Sequence, residues 1–419
     1  MGELRLSTNF TNINEMKRNF LASLLALCAI AGQAQGTQNS NSAPLDSVII
    51  EGVAKNMPDG TRFMVLQEGV QAMQETIIKG GKFRIAISQK EKESTLSLVH
   101  PGGILIEIYT EPGKKIKVIG DDAHSVNYWH VESDNFNQKE DNAYNQFIKE
   151  KLPDFYEADN KWTLLNAMLN EKSMNGTITQ EDKDKVMPEA RAAYQKSEEL
   201  RKEKYNAAIL DFMASRPFSK RMISEIWMIS IYDHTPAIVE KAREIFKKFP
   251  QEAMNDRLVV ETKAKLYAER AKVGEQMKDF TLYDRELKAH QLSEFKGKYT
   301  ILEFTFYGCG GCVFIKPYLE EFYKRNKDKA EVIAIYNDTK ENWMKEGQEH
   351  KVSYQEWSDP ERAAEPVAAY DVNVFPTFVI IDPNGKILDI APGSIGLLKV
   401  LEYIPDAEIE KKLKDASKS

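Results

Sequence analysis

Tyr299-Thr300-Ile301-Leu302-Glu303-Phe304-Thr305-Phe306-Tyr307-Gly308-Cys309-Gly310-Gly311-Cys312-Val313 is the stretch on which the reading of this chain turns. From Tyr299 to Phe306 it is rich in apolar, β-branched and aromatic residues, the pattern of a strand buried on both faces. Two cysteines flanking two glycines follow, and Val313 to Asn326 reads as a helix. A cysteine at such a strand-to-helix junction meets unpaired N–H groups and the positive end of the helix dipole, and both favour a thiolate. Its pKa is expected to fall from about 8.5 into the range of roughly 3.5–7.5. Cys312, three positions on along the first helical turn, can displace whatever becomes attached to Cys309. Cys309 is therefore expected to be the exposed nucleophile and Cys312 the buried resolving thiol. Gly310 and Gly311 are expected to let the backbone bend and a partner polypeptide come close.

Other uses of a Cys-x-x-Cys pair fit less well. A zinc site needs two further ligands, and no second cysteine pair exists. Haem attachment needs His after the second cysteine, where Val313 stands. A structural disulfide would close a very short loop and add little entropic stabilisation. A peroxide-reducing cysteine stays open as an alternative. Downstream, Val332 to Tyr336 reads as a second buried strand. Thr377 to Ile381 and Lys386 to Ile390 flank the turn Asp382-Pro383-Asn384-Gly385, and Ile395 to Ile404 reads as a closing amphipathic helix. Strand, helix, strand, hairpin, helix is the order of a thioredoxin fold.

Four features then coincide with the Cys-x-x-Cys pair. They are the lead-in Val273-Gly274-Glu275-Gln276-Met277-Lys278-Asp279-Phe280-Thr281-Leu282, Pro317 five residues after Cys312, Val374-Phe375-Pro376-Thr377, and the turn at 382–385. On these, residues 273–405 resemble the thioredoxin-like domain of TlpA/ResA-type exported thiol–disulfide oxidoreductases. The resemblance implies a cis proline at Pro376 facing the cysteines and offering an edge to an extended substrate. Phe375 would then contact the partner or pack in the core. Glu303, six residues before Cys309, matches the buried acid beneath the thioredoxin active site, which would exchange a proton with Cys312. Three departures stand out: Lys278 replaces the usual Pro of the lead-in, Gly308 replaces the usual Trp before the first cysteine, and Gly311 the Pro common before the second. Residues between the cysteines tune potentials over roughly -120 to -270 mV, so the direction of electron flow is left open.

Working outward to the N-terminus, about 45–125 reads as short strands punctuated by Asp59-Gly60, Gly80-Gly81, Gly102-Gly103 and Pro112-Gly113. A small β-sandwich or barrel is expected, similar to the uncharacterised β domain found ahead of thioredoxin-like domains in exported Gram-negative proteins. About 135–270 reads as a helical region; one helix is started by Thr235-Pro236 and stopped by Pro250. The expected class is thus multidomain α+β with a C-terminal thioredoxin-like α/β domain. At the start, Met16-Lys17-Arg18, the apolar run Phe20 to Ala31 and the ending Gly32-Gln33-Ala34 read as a signal peptide over 1–34, with Met16 the expected natural start. A lipid anchor at Cys28 is the lesser reading, because Leu27 precedes it. Cleavage would leave Cys309 and Cys312 as the two cysteines of a periplasmic protein.

The chain has 419 residues, 42% hydrophobic and 29% charged, with a formal net charge of -7, and builds no basic stripe for nucleic acid. His124 and His130, with Tyr128 and Trp129 between them, make no ligand set by themselves, and His290 and His350 sit in no motif. The expected activity is thiol–disulfide exchange with protein substrates, as a reductase fed by a membrane electron donor, with the cysteine pair as its own redox group and neither metal nor cofactor. The upstream regions are expected to orient, dimerise or select substrate, which leaves a homodimer open. A scaffold protein with a secondary redox domain is the reading from another class.

Overall fold

The computed structural model describes residues 47–67, 70–89, 92–359, 364–393 and 396–416. The signal-peptide reading and Cys28 lie outside the described residues. The chain divides into two compact units, one ending at Pro250 and one beginning at Gln251.

The first unit opens with eight strands: β1 Ser47–Lys55, β2 Arg62–Gln67, β3 Val70–Ile77, β4 Lys82–Ser88, β5 Ser94–Val99, β6 Leu105–Thr110, β7 Lys115–Asp121 and β8 His130–Glu132. They form two four-stranded sheets, β4-β1-β7-β8 and β3-β2-β5-β6. Both feed one apolar cluster, with Val48, Ile50, Ile85, Ile116 and Val118 from the first and Phe63, Val65, Leu96, Leu98 and Ile108 from the second. Three of the strands, β3, β5 and β8, are absent from the sequence reading. β3 is a polar edge strand, and β5 alternates Ser or Thr with Leu, so neither makes an apolar run. Helices follow: α1 Phe136–Lys151, α2 Pro153–Met174, α3 Met187–Leu200, α4 Asn206–Ala214, α5 Lys220–Tyr232 and α6 Pro236–Phe246. Thr235 and Pro236 start α6 as expected, because Pro at the first helical position forgoes only an N–H that has no partner there.

The second unit contains α7 Arg257–Tyr267, β9 Thr281–Tyr283, β10 Ala289–Gln291, β11 Tyr299–Thr305, α8 Gly310–Asn326, β12 Ala330–Tyr336, α9 Lys340–Glu349, β13 Gln355–Ser358, α10 Ala364–Ala369, β14 Thr377–Ile381, β15 Ile387–Pro392, α11 Gly396–Tyr403 and α12 Ala407–Ala416. Its sheet runs β10-β9-β13-β12-β11-β14-β15. β11 is central, parallel to β12 and antiparallel to β14. One face buries Ile301, Ala334 and Phe378 against Ile315, Leu319, Trp343 and Leu397, and the other buries Leu302, Phe304 and Ile333 with Val367 and Tyr370. This two-sided burial is what the continuous apolar run of β11 anticipates.

The two compact units part at residue 250, inside the stretch read as a helical region over about 135–270. Helix α7, read with the helical region, belongs to the second unit: Val259 and Leu266 are buried, Lys265 Nζ donates to the Val372 carbonyl at 3.0 Å, and Ala271 N donates to the Ala369 carbonyl at 2.7 Å. The lead-in segment pairs with the hairpin, Gly274 N with Ile387 O at 2.8 Å and Met277 N with Gly385 O at 2.8 Å. The chain closes with α12 as well as α11, whereas the sequence reading stopped at the latter.

Candidate active site

Cys309 and Cys312 are joined by a disulfide, with their Cα atoms 5.2 Å apart. Cys309 is the N-cap of α8, and its sulfur accepts the Cys312 N–H at 3.2 Å, so one of the orphan donors of the first turn points at the sulfur. That placement follows the sequence reading, with two corrections. The helix begins at Gly310 rather than Val313, and the bend comes at Gly308, whose φ is 78°, while Gly310 and Gly311 are already helical. A side chain at position 308 would be held in left-handed backbone, which is the local reason that glycine suits the place where the resembled family carries Trp. The second correction concerns exposure. Cys309 is 0% exposed and Cys312 2% in this oxidised state. Gly308 and Gly310 beside them are exposed, and a Cβ at Gly310 would meet nothing within 4 Å.

Apolar residues flank the cysteine pair along the chain. Val313 and Phe314, directly after Cys312, are exposed. Phe306 meets Phe375 edge-on with ring centres 5.3 Å apart. The Phe375–Pro376 peptide is cis, and Pro376 is buried while Phe375 is half-buried against the core. Pairing of Thr377 with Phe304 brings this segment beside the end of β11 that leads into Cys309. Tyr307 is anchored through its N–H to Asp338 Oδ2 at 2.5 Å.

Glu303 lies on β11 between Ala334 and Phe378 of the neighbouring strands, on the face that packs against α8. It is 1% exposed, and among the described residues neither carboxyl oxygen has a hydrogen-bond partner. Burial raises its pKa to about 8; the Lys316 ammonium opposes that rise, and the Glu356 and Glu346 carboxyls add to it. These neighbours form a buried polar group that the sequence reading missed. Lys316 Nζ lies 2.5 Å from Glu346 Oε1 and 3.2 Å from the Tyr336 hydroxyl. Tyr336 donates to Glu356 Oε1 at 2.8 Å, and Arg285 Nε to Glu356 Oε2 at 3.0 Å. One signal was available: Lys316 falls in the buried stripe Cys312, Ile315, Lys316, Leu319 at helical spacing.

His124 and His290 stay apart from this chemistry, while His350 reaches the Lys316 group through Glu346. His124 Nδ1 lies 2.8 Å from Asp121 Oδ1, and His290 stacks on Trp357 and bonds to Asp284 and Glu294. His350 sits 3.3 Å from Glu346. Among the described residues no cluster of His, Cys, Asp and Glu is arranged to hold a metal, and no helix is long and apolar enough to cross a membrane.

Residues 273–390 match the AhpC/TSA family. Thiol-disulfide oxidoreductase ResA of Geobacillus thermodenitrificans (strain NG80-2) is 31% identical over 125 residues, covering 29% of this chain and 71% of its own. ResA of Bacillus subtilis (strain 168) is 29% identical over 136 residues, covering 31% of this chain and 73% of its own. The solved thioredoxin domain of a thiol-disulfide oxidoreductase from Bacteroides vulgatus is 26% identical, covering 32% of this chain and 99% of that one, with a TM-score of 0.30. A paired Cys-x-x-Cys at the head of α8, on a sheet of this order and in a segment matched by the ResA sequences, identifies the chain, through its C-terminal unit, as a thiol–disulfide oxidoreductase of thioredoxin fold belonging to the ResA family.

Proposed function

We propose that this protein is an exported, periplasmic reductase of protein disulfides. Cys309 attacks a substrate disulfide, Cys312 resolves the mixed disulfide, and Glu303 takes the Cys312 proton in that second step. The observations that support the reading are the disulfide at the first turn of α8 and, on the face of β11 that packs against that helix, a buried carboxyl without a hydrogen-bond partner among the described residues. Substrate would lie along the segment at Phe375 and Pro376 and over Gly310 and Gly311, with open space at Gly310; the exposed Val313 and Phe314 add an apolar rim suited to an unfolded or extended partner. Burial of both sulfurs in the oxidised state suits a resting form that a membrane thiol donor must open. The β and helical regions are assigned to substrate choice or to dimer formation, since Cys309, Cys312 and Glu303 all belong to the second unit.

Trapping tests this. Cys312→Ala should accumulate a mixed disulfide between Cys309 and its substrate, identified by mass spectrometry of the cross-linked pair from a periplasmic fraction. Finding no adduct, or finding the protein retained in the cytoplasm, would remove the assignment. Equal reactivity of Cys312→Ala and wild type toward hydroperoxide, with no adduct, would favour peroxide reduction instead.

A further inference from the structure

Helix α8 buries Cys312, Ile315, Lys316 and Leu319 along one stripe. Apolar residues suit such a stripe, but a lysine must be desolvated to occupy it, and an ammonium in a core is costly unless it is paired. Lys316 stands one helical turn after Cys312. It faces the side of the sheet that carries Glu303, because Ile315 and Leu319 share a core cluster with Ile301, and Ile301 and Glu303 point to the same face of β11. Glu346 from α9 and the Tyr336 hydroxyl from β12 hold its Nζ in place. Glu356 is occupied in turn by Tyr336 and Arg285. Glu303 alone among these acids has no hydrogen-bond partner among the described residues.

We propose that Lys316 is a positioning residue for the thiol chemistry: clamped by Glu346 and Tyr336, it sets the proton affinity of Glu303 and thereby keeps that carboxyl available to the Cys312 proton. The inference rests on Glu303 being the proton acceptor. Facing that carboxyl are Lys316 from α8, Glu346 from α9, Tyr336 from β12, Glu356 from β13, and Tyr354 just before β13. Lys316 favours the ionised form; the two acids and the apolar surroundings oppose it. In the resolving step the Cys312 thiol passes its proton to the Glu303 carboxylate, and the thiolate attacks the Cys309 sulfur. The Cys309–Cys312 bond forms, the bond from Cys309 to the partner breaks, and the departing partner thiolate is protonated by solvent. The dithiol loses two electrons and the partner disulfide gains them. Without the ammonium, burial and the two acids would hold the proton on Glu303, and the acceptor would be lost.

The test uses the reduced full-length chain in a Cys28→Ser background, mixed with 5,5′-dithiobis(2-nitrobenzoate) over about pH 6 to 10. One coloured thiolate leaves when Cys309 is capped and a second when Cys312 resolves the cap, so the second phase isolates the step of interest. Its rate should rise with pH through a midpoint near 8. Glu346→Gln removes an anion and should lower the midpoint. Lys316→Met combined with Glu346→Gln should raise it by about one unit or more above that of Glu346→Gln alone. The pair is changed together because Lys316→Met by itself would strand a buried carboxylate and threaten folding. Coincident midpoints in the single and double variants, or a midpoint that Glu346→Gln does not lower, would overturn the role of Lys316. Glu303→Gln separates the two assignments: if the pH dependence near 8 vanishes in that variant while the Lys316 test fails, Glu303 stands and Lys316 falls; if it persists in that variant, both fall.

Discussion

Each compact unit buries a group of charges, and the two groups differ in how they are closed. In the first unit, Glu225 accepts from Arg221 at 2.8 Å and from the Tyr205 hydroxyl at 3.0 Å, Asp141 accepts from Arg221 at 3.1 Å, and Glu140 takes both forks of Arg216 at 2.7 Å. Each of these carboxylates is matched. In the second unit Lys316, Glu346, Tyr336, Glu356 and Arg285 close on one another in the same way, yet Glu303 beside them bonds to nothing among the described residues. A buried ion pair with its partners in place holds a packing arrangement together, although it gives little net stability over an apolar substitute. A buried carboxyl with no partner costs stability, and proteins keep such groups where the proton is used. Burial of charge is therefore a poor guide to chemistry in this molecule. What separates the redox site from the helical scaffold is the carboxyl left without a partner.

The sharpest way to break this comparison is to neutralise one acid in each group. Glu303→Gln should slow reduction of insulin at pH 7 by about 100-fold or more, the ordinary contribution of a positioned acid–base group, and should keep the fold, because it replaces a carboxyl that already lacks partners. Glu225→Gln should leave the reduction rate within about twofold, yet lower the stability of its unit by about 3 kcal/mol, because Arg221 loses a buried counter-charge. Turbidity of reduced insulin reads the first effect and calorimetry the second. Similar slowing by both variants would show that the two charge groups are not functionally distinct.

Next in size comes a pH effect on stability. The folded value of Glu303, near 8, lies above its ordinary 4.5, so the folded chain holds a proton that the unfolded chain gives up as pH climbs. The stabilising effect of that difference is complete below pH 4.5 and is lost as pH rises through 8. A shift of this size corresponds to at most about 4–5 kcal/mol. Urea titrations of the transition belonging to the second unit, at about pH 5 and pH 9, should show wild type losing stability relative to Glu303→Gln. A constant gap between the two proteins would contradict the raised value and with it the reading of Glu303 as an unsatisfied acid.

The same contrast explains what was legible in the sequence. Strands such as β11, β12 and β14 are nearly continuous apolar runs because both faces are covered, and the turn residues Asp382 to Gly385 mark the hairpin, so the thioredoxin-like order could be read. The cysteine pair and Glu303 were legible for a related reason: a charged residue inside a two-sided buried strand contradicts its surroundings. The neighbour of helix α7 was not legible because an amphipathic stripe says that a helix packs and not what it packs on; Lys265 and Ala271 tie it to the second unit through bonds to main-chain carbonyls that no pattern encodes. Lys316 was passed over because a lysine at helical spacing reads as a solvated position. Its burial depends on Glu346 and Tyr336, 30 and 20 residues away. The burial of Cys309 was likewise invisible, since it depends on tertiary packing around the turn and not on the motif.

The smallest effect serves as the control for the comparison. Lys117 and Glu132 face each other across β7 and β8 at 3.2 Å, with both side chains about half exposed. In water the attraction between such charges is weak and is offset by the freedom lost in holding two long side chains together. Lys117→Ala should therefore change stability by no more than about 0.5 kcal/mol, and that small difference should fade in about 1 M salt, where the screening length is about 3 Å. The loss in Glu225→Gln should persist in the same salt, because the Glu225 carboxylate is buried against Arg221 and is screened little by mobile ions. If salt removed both differences alike, water would be reaching the Arg221 group, and the distinction between matched buried acids and a solitary one would lose its physical basis.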